Sequence, residues 1–274
     1  MILDDILKEK TIEIEKFKAS INESEYKAEA YGVFRGLRSL RGALKPRSNG
    51  EAVSYRICSI IAEVKKASPS RGKMVFNYKP DEMSVAYEKG GASAISVLTD
   101  KRFFMGSSSD ILKVRESVKL PVLRKDFIID EIQVFESKMI GADAILLILK
   151  VLTEVQYKKL LALADELSLD VLTEISNENE LETAYKYNAE IIGINSRDLR
   201  TFKTDLFKTA AIAEKIPPGK LIVAESGISG RGDIEMLMKR GINSFLIGEA
   251  VVKSEDASKT LKDLLFPYAI NNYL

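Results

Sequence analysis

Hydrophobic positions fall into two regimes along the chain. Up to about residue 45 they recur at helical spacing: Leu3, Ile6, Leu7, Ile14, Phe17 and Ile21 stand among Lys and Glu, a pattern that predicts amphipathic helix. Lys45-Pro46-Arg47-Ser48-Asn49-Gly50 then breaks it. Beyond the break come eight short runs of Ile, Val, Leu and Ala: Cys58–Val64, Ala94–Leu98, Pro121–Leu123, Ala144–Leu149, Val171–Ile175, Ile191–Ile194, Leu221–Ala224 and Ser244–Ile247. Between them lie segments of helical character: Pro80–Lys89, Glu131–Ile140, Glu154–Leu167, Glu178–Tyr187, Leu206–Lys215 and Gly232–Arg240. Runs that are apolar throughout belong to strands covered on both faces, and their alternation with helices is the pattern of βαβ units in a parallel sheet. Gly90-Gly91, Gly141 and Gly241 stand where the preceding helix must stop. Eight units in about 200 residues predict an α/β fold, a (β/α)8 TIM barrel. Residues 57–265 would form the barrel and 1–48 a helical N-terminal extension, all within one domain of 274 residues. A doubly wound open sheet is the alternative. It is weakened because no GxGxxG follows any run, and Gly227-Ile228-Ser229-Gly230-Arg231-Gly232 has its glycines at another spacing.

In a parallel barrel the chemistry sits at the C-terminal ends of the strands. The first run ends in Glu63-Val64-Lys65 and the third in Arg124-Lys125-Asp126. The fifth carries Glu174, the sixth ends in Asn195 with Arg197 beyond it, the seventh in Glu225-Ser226-Gly227, and the eighth in Gly248-Glu249. Any one of these could be a solvated strand end or an interior salt bridge. Two lysines and three glutamates on one rim instead suit general acid–base work, because opposed Lys and Glu keep each other ionised and shift each other's pKa. Ser226-Gly227 and Gly248 form turns after the last two strands, where this architecture often holds phosphate. Ser68-Pro69-Ser70-Arg71-Gly72 adds hydroxyls and a cation. Phe103-Phe104 and Phe127 offer a wall for a flat aromatic ring, with simple loop packing as the alternative.

Composition narrows the chemistry further. The chain has no His and one Cys, which removes Ser-His-Asp triads, Cys-His pairs, HExxH sites and thiolate zinc clusters. Acid–base work is left to Lys, Glu, Asp, Tyr or Cys58. Cys58 itself reads as a small core residue. Lys and Arg number 41 and Asp and Glu 40, a net charge of +1, so neither a nucleic acid nor a membrane surface is an expected partner. The acidic start Met1-Ile2-Leu3-Asp4-Asp5 does not resemble a signal peptide. The longest apolar run, Ala144–Leu149, is far short of the ~20 residues that span a bilayer. A cytoplasmic protein is expected.

These residues carry a resemblance. Ile61-Ala62-Glu63-Val64-Lys65-Lys66-Ala67-Ser68-Pro69-Ser70 is similar to the signature of indole-3-glycerol phosphate synthases. So are Ser96-Val97-Leu98-Thr99-Asp100 with Phe103-Phe104-Met105-Gly106-Ser107, and Pro121-Val122-Leu123-Arg124-Lys125-Asp126-Phe127. Ala142–Ile148, Ile192–Leu199, Ala224–Ile228 and Leu246–Ala250 continue the match in order and spacing, to about residue 265. The resemblance implies a carboxy-lyase of tryptophan biosynthesis whose N-terminal helical extension lies over the barrel mouth. Such an enzyme closes the pyrrole ring of 1-(2-carboxyphenylamino)-1-deoxyribulose 5-phosphate with loss of CO2 and water, and needs no cofactor or metal. It implies Lys125 as the acid that protonates the ketone. Lys65, held by Glu63, would lie near the substrate carboxylate and the departing hydroxyl. Glu174 would be the partner acid or base for dehydration, with the division of steps between Lys65 and Lys125 left open. Asn195 and Glu225 would orient hydroxyls and lysines. Ser68, Ser226, Gly227 and Gly248 would hold phosphate, Phe104 and Phe127 would pack on the anthranilate ring, and Arg197 would brace the sixth strand end or steer the anion. The partner expected is a phosphorylated small molecule. The chain would be a monomer or weak oligomer, with association to other tryptophan-pathway enzymes open.

The chain departs from the family pattern in three places. Leu172-Thr173-Glu174-Ile175-Ser176 stands for the usual Leu-Val-Glu-Val-His, Ala250 for a common Ser, and Arg71 for a commoner Lys. Two rival readings remain. One is phosphoribosylanthranilate isomerase, whose Cys/Asp pair is not matched because Cys58 opens its strand. The other is a non-catalytic phosphate-binding barrel, which would not need Glu63, Lys65, Lys125 and Glu174 together.

Overall fold

Every apolar run predicted as a strand forms one. β1 (Ser59–Val64), β2 (Ala94–Leu98), β3 (Val122–Lys125), β4 (Ala144–Ile148), β5 (Asp170–Ile175), β6 (Ile191–Asn195), β7 (Leu221–Glu225) and β8 (Ser244–Ile247) pair in parallel, each with the next. β1 also pairs with β8, Ile61 opposite Leu246, and this closes the barrel and excludes the open sheet. The computed structural model describes residues 2–36, 38–45, 58–198 and 202–265. The break at 46–50, the expected ends of the extension at 48 and of the barrel at 57, residue 199 and the tail 267–274 lie outside the described residues.

Strand side chains alternate between two apolar layers. Ile60, Ala62 and Val64 of β1, Ile145 and Leu147 of β4, and Phe245 and Ile247 of β8 face the surrounding helices. Ile61, Leu123, Ala144, Leu146, Leu172, Val223 and Leu246 fill the barrel interior. Burial on both faces explains why the runs show no alternation of polar and apolar residues. The helices between strands are α4 (Pro80–Lys89), α5 (Ser109–Ser117), α6 (Glu131–Ile140), α7 (Glu154–Glu166), α8 (Glu178–Lys186), α9 (Leu206–Ala213) and α10 (Arg231–Met238). α11 (Glu249–Val252) and α12 (Ala257–Leu265) follow β8. Among the described residues no helix is long and apolar enough to cross a membrane.

The N-terminal extension differs from its expected course. It forms three helices, α1 (Ile2–Ala19), α2 (Glu23–Gly32) and α3 (Leu40–Leu44), and of these α1 is the one that lies at the mouth, where Ile2, Leu3 and Ile6 line the central cavity. α2 packs against α6 on the outside. The chain then descends along the barrel wall, where the Arg38 guanidinium donates to the carbonyls of Arg115, Val118 and Leu120. α3 plugs the opposite end: Leu40 and Leu44 enter the interior cluster, and Ser39 Oγ and the Arg41 amide donate to Asp170, the first residue of β5. The extension therefore closes both ends of the barrel.

Candidate active site

The barrel's period-2 alternation explains why the strand-end charges converge. Glu63, Lys125, Glu174 and Glu225 each stand two residues after an interior apolar position, Ile61, Leu123, Leu172 and Val223 respectively, so they point inward above the core. Asn195 is in register with Glu225 across β6 and β7. Lys65 follows β1 and turns back over the mouth, its Nζ 2.5 Å from Glu63 Oε2. Lys125 Nζ lies 3.4 Å from Glu225 Oε2 and 4.0 Å from Glu63 Oε1. Asn195 Nδ2 donates to Glu174 Oε1 at 3.1 Å. The carboxylates are nearly sealed from solvent, with Glu225 1%, Glu63 5% and Glu174 6% exposed.

The electrostatics of the cluster follow from burial and proximity. Burial alone would favour a neutral Lys125, but the charges of Glu225, Glu174 and Glu63 outweigh it and hold the ammonium above the ordinary lysine range. Burial likewise works to raise Glu63, and Lys65 and Lys125 more than offset it, so its carboxyl is held below the usual range. Glu225 goes the other way: burial first, and then the charge of Glu174, push it up, against the opposing pull of Lys125. The site therefore holds a lysine kept protonated, a glutamate kept ionised and a second glutamate whose protonation is favoured.

Two glycines make this packing possible. A Cβ on Gly193 would sit 2.1 Å from Glu225 Oε1, and one on Gly248 would sit 2.3 Å from Glu63 Oε2. Gly193→Ala should therefore displace the Glu225 carboxylate from Lys125. Since an ångström of misplacement at reacting groups can cost about 10²-fold, a loss of turnover of that order is expected in a steady-state assay, with the circular dichroism of the barrel kept. An unchanged kcat would show that the Glu225–Lys125 contact is idle.

The whole cavity holds about 550 Å³, and beyond the charge cluster it has an apolar part and a polar part. On the first, Phe104 and Phe127 stand with ring centroids 6.3 Å apart, joined by Leu146, Ile148 and Leu246. On the second, Ser226 and Gly227 both adopt left-handed backbone, φ 65° and 74°. Strain of that kind at a non-glycine residue persists where surrounding structure enforces it, commonly at binding sites. Ser68, Gly248 and Arg197 also line the cavity. Arg197 is positioned by its backbone N–H donating to Asn195 Oδ1 at 3.0 Å and its guanidinium to the Phe202 carbonyl at 3.4 Å. Three cations meet one carboxylate here: Arg71 at 3.1 Å, Arg197 at 3.7 Å and Lys253 at 2.6 Å from Glu249.

Of the predicted site residues Glu225 and Phe103 do not line the cavity: Glu225 lies directly beneath it against Lys125, and the Phe103 ring instead lies under the Arg102 guanidinium. Of the departures from the family pattern, Ala250 faces the cavity, whereas the Ser176 amide and hydroxyl both donate to Glu180 at the start of α8. Lys253 and Lys10 escaped the sequence reading. Lys253 stands four residues after Glu249, a helical pair that proximity alone could suggest. Lys10 stands on the buried stripe Ile6-Lys10-Ile14 of α1, and a lysine at the centre of an apolar stripe is itself a signal.

The mouth also carries a pH-sensitive anchor. Burial pushes Asp126 up, but the charges of Arg124 and Lys10 and the Thr99 hydroxyl outweigh it and hold the carboxyl at about 2, below its ordinary 3.8. A carboxyl depressed in the folded state stabilises it above the ordinary pKa, and that contribution is lost as pH falls through the window between those two values. Acid unfolding followed by circular dichroism should steepen there, and Asp126→Asn should flatten that part of the curve.

Comparison with known proteins adds the family. A sequence model described as "Indole-3-glycerol phosphate synthase" matches residues 3–264. The chain is 40% identical over 267 residues to the indole-3-glycerol phosphate synthase of Polynucleobacter asymbioticus, covering 96% of this chain and 98% of that protein. It is 43% identical to that of Neisseria meningitidis, over 93% of this chain and 95% of that one. It is 50% identical to that of Desulfosudis oleivorans over 75% and 78%. Among solved structures it superposes on a 3-hexulose-6-phosphate synthase with a TM-score of 0.60 at 14% identity, over 75% of this chain and 97% of that one. Thiamine phosphate pyrophosphorylase from Pyrococcus furiosus gives 0.58 at 18%, over 82% and 96%. At such identities these two superpositions speak for the barrel alone. The matched family model and the near full-length relatives together place the chain in the indole-3-glycerol phosphate synthase family, lyases of tryptophan biosynthesis.

Proposed function

We propose that this barrel converts 1-(2-carboxyphenylamino)-1-deoxyribulose 5-phosphate to indole-3-glycerol phosphate, CO2 and water by Lys/Glu acid–base catalysis. The observation that carries the reading is the buried cluster of Lys125, Glu225, Glu63 and Lys65 between an aromatic wall and an anion pocket. The carboxyphenyl ring would lie against Phe104 and Phe127, with the phosphate at Ser68, Ser226, Gly227 and Gly248. Arg197 would draw the anion in.

Lys125, held protonated by its carboxylates, gives its proton to the ketone oxygen as the ring carbon bearing the carboxylate attacks the carbonyl carbon. Loss of CO2 from that carbon returns its bonding electrons to the ring and restores aromaticity. The new hydroxyl leaves next. Lys65, paired with Glu63, gives it a proton so that it departs as water. Glu174, oriented by Asn195, takes the proton whose removal completes the indole. Glu225 keeps Lys125 in place from beneath. The cover from α1 keeps bulk water off these transfers. The isomerase alternative needs a cysteine at the strand ends. Cys58 instead lies buried just before β1, its thiol pushed up to about 11 by burial.

The chain contains no tryptophan, so an indole product is visible against Tyr and Phe alone. Mixing purified protein with the carboxyphenylamino-deoxyribulose phosphate should give a rise in indole emission and a product of the matching mass. A flat trace from folded protein that still binds substrate would overturn the reading.

A further inference from the structure

Lys10 is a buried lysine far along the sequence from the strand ends, 3% exposed. Its Nζ lies 2.7 Å from Glu13 Oε2, 3.2 Å from Asp100 Oδ2 and 3.0 Å from Asp126 Oδ1, so the three ammonium hydrogens face three carboxylates. Two of these carboxylates are buried and have a second task. Asp100 Oδ1 accepts the backbone N–H of Phe103 at 2.8 Å and of Phe104 at 3.3 Å. Asp126 Oδ1 accepts the backbone N–H of Phe127 at 2.8 Å. Asp126 also has Arg124 and Thr99. Among the described residues Lys10 is the cation paired with Asp100.

We propose that Lys10 is a positioning residue: as the shared counter-ion of Asp100 and Asp126, it fixes the spacing of Phe104 and Phe127 and so sets the grip of the site on the aromatic half of its substrate. The inference rests on the reading that these two rings face the carboxyphenyl group. Two buried carboxylates on neighbouring loops repel each other unless a cation lies between them, and an unpaired buried charge is costly. Removing Lys10 drives apart the two loops whose main chains carry the rings. α1 itself stays docked, because Glu9 pairs with Arg102, Lys18 Nζ pairs with Asp130 at 2.7 Å, and Ile6 remains in the interior cluster. The anion pocket, built on the turns after β7 and β8, lies outside this network.

The test uses the full chain and two separate probes, anthranilate for the aromatic wall and inorganic phosphate for the anion pocket, each as an inhibitor of turnover. In Lys10→Met the inhibition constant of anthranilate and the KM of the substrate should rise by about ten-fold, while that of inorganic phosphate stays within about two-fold of wild type. Adding Asp100→Asn removes the unpaired charge yet keeps an oxygen for the two N–H groups, so the double variant should recover most of the loss. Lys10→Arg keeps the charge and the fold but moves its centre, and should weaken anthranilate alone by about three-fold. Equal weakening of both probes in Lys10→Met, no recovery in the double variant, or unchanged anthranilate inhibition in Lys10→Arg would each overturn the proposal. A wild-type chain that neither turns over the substrate nor binds anthranilate would instead overturn the functional reading, before any variant is compared.

Discussion

Replacing Lys125 with Met should lower kcat by about 10³-fold, near the middle of the range for removal of a positioned acid, with the barrel still folded. Methionine keeps most of the unbranched stem, so the wall of the cavity is preserved. It lacks the ammonium that stands 3.4 Å from Glu225 and 4.0 Å from Glu63. Removing one partner of a buried charge cluster ordinarily destabilises strongly. Here Glu225 provides relief, because burial and the charge of Glu174 already push its carboxyl up and it can take a proton in place of the missing cation. The variant should therefore unfold cooperatively at a somewhat lower temperature and keep its inhibition by inorganic phosphate. Turnover within about ten-fold of wild type would mean that Lys125 is structural.

Glu174→Gln should cost about 10²-fold or more in indole formation, and it carries a signature of its own. Glutamine keeps an oxygen to accept from Asn195 Nδ2, now at 3.1 Å from Glu174 Oε1, so the geometry survives while the basic oxygen is lost. If Glu174 acts only after decarboxylation, the variant should release CO2 faster than it makes indole, and a ring-closed, still hydroxylated species should accumulate. Quenching a single turnover and weighing the products would reveal it. Equal slowing of CO2 and indole would place Glu174 at ring closure instead.

The eight strands could be read from the sequence because each is buried on both faces, so that Ser59–Val64 and Ala144–Ile148 are apolar almost throughout. The site charges could be read because they extend those runs by one inward step. α5 leaves no such pattern, for the opposite reason. Its buried face contains Asp110 and Arg115 beside Ile111 and Val114, and Arg115 is satisfied at a distance by Asp143 at 2.5 Å and the Gly36 carbonyl at 2.8 Å, partners that no local pattern announces. The short hairpin of Ala67–Ser68 with Gly72–Lys73 after β1 reads as loop in the sequence, since two-residue strands leave no periodicity. The course of the extension was only half legible. Helical period predicts that the segment is helix, but the descent of its chain to the far end of the barrel depends on Arg38 and Asp170. Gly193 looks like an ordinary strand glycine, and Gly248 like a turn glycine after β8, until the Glu225 and Glu63 carboxylates are seen against them.

Chemistry at this site is tested most directly by the fate of the substrate carboxyl carbon. With the carboxylate of the carboxyphenyl group labelled with carbon-13, the account predicts one labelled CO2 released for each indole-3-glycerol phosphate formed, and loss of both in Lys125→Met. An isomerised product that retains the label, or labelled CO2 released at an unchanged rate by the Lys125→Met variant, would contradict a decarboxylating ring closure driven from this cluster.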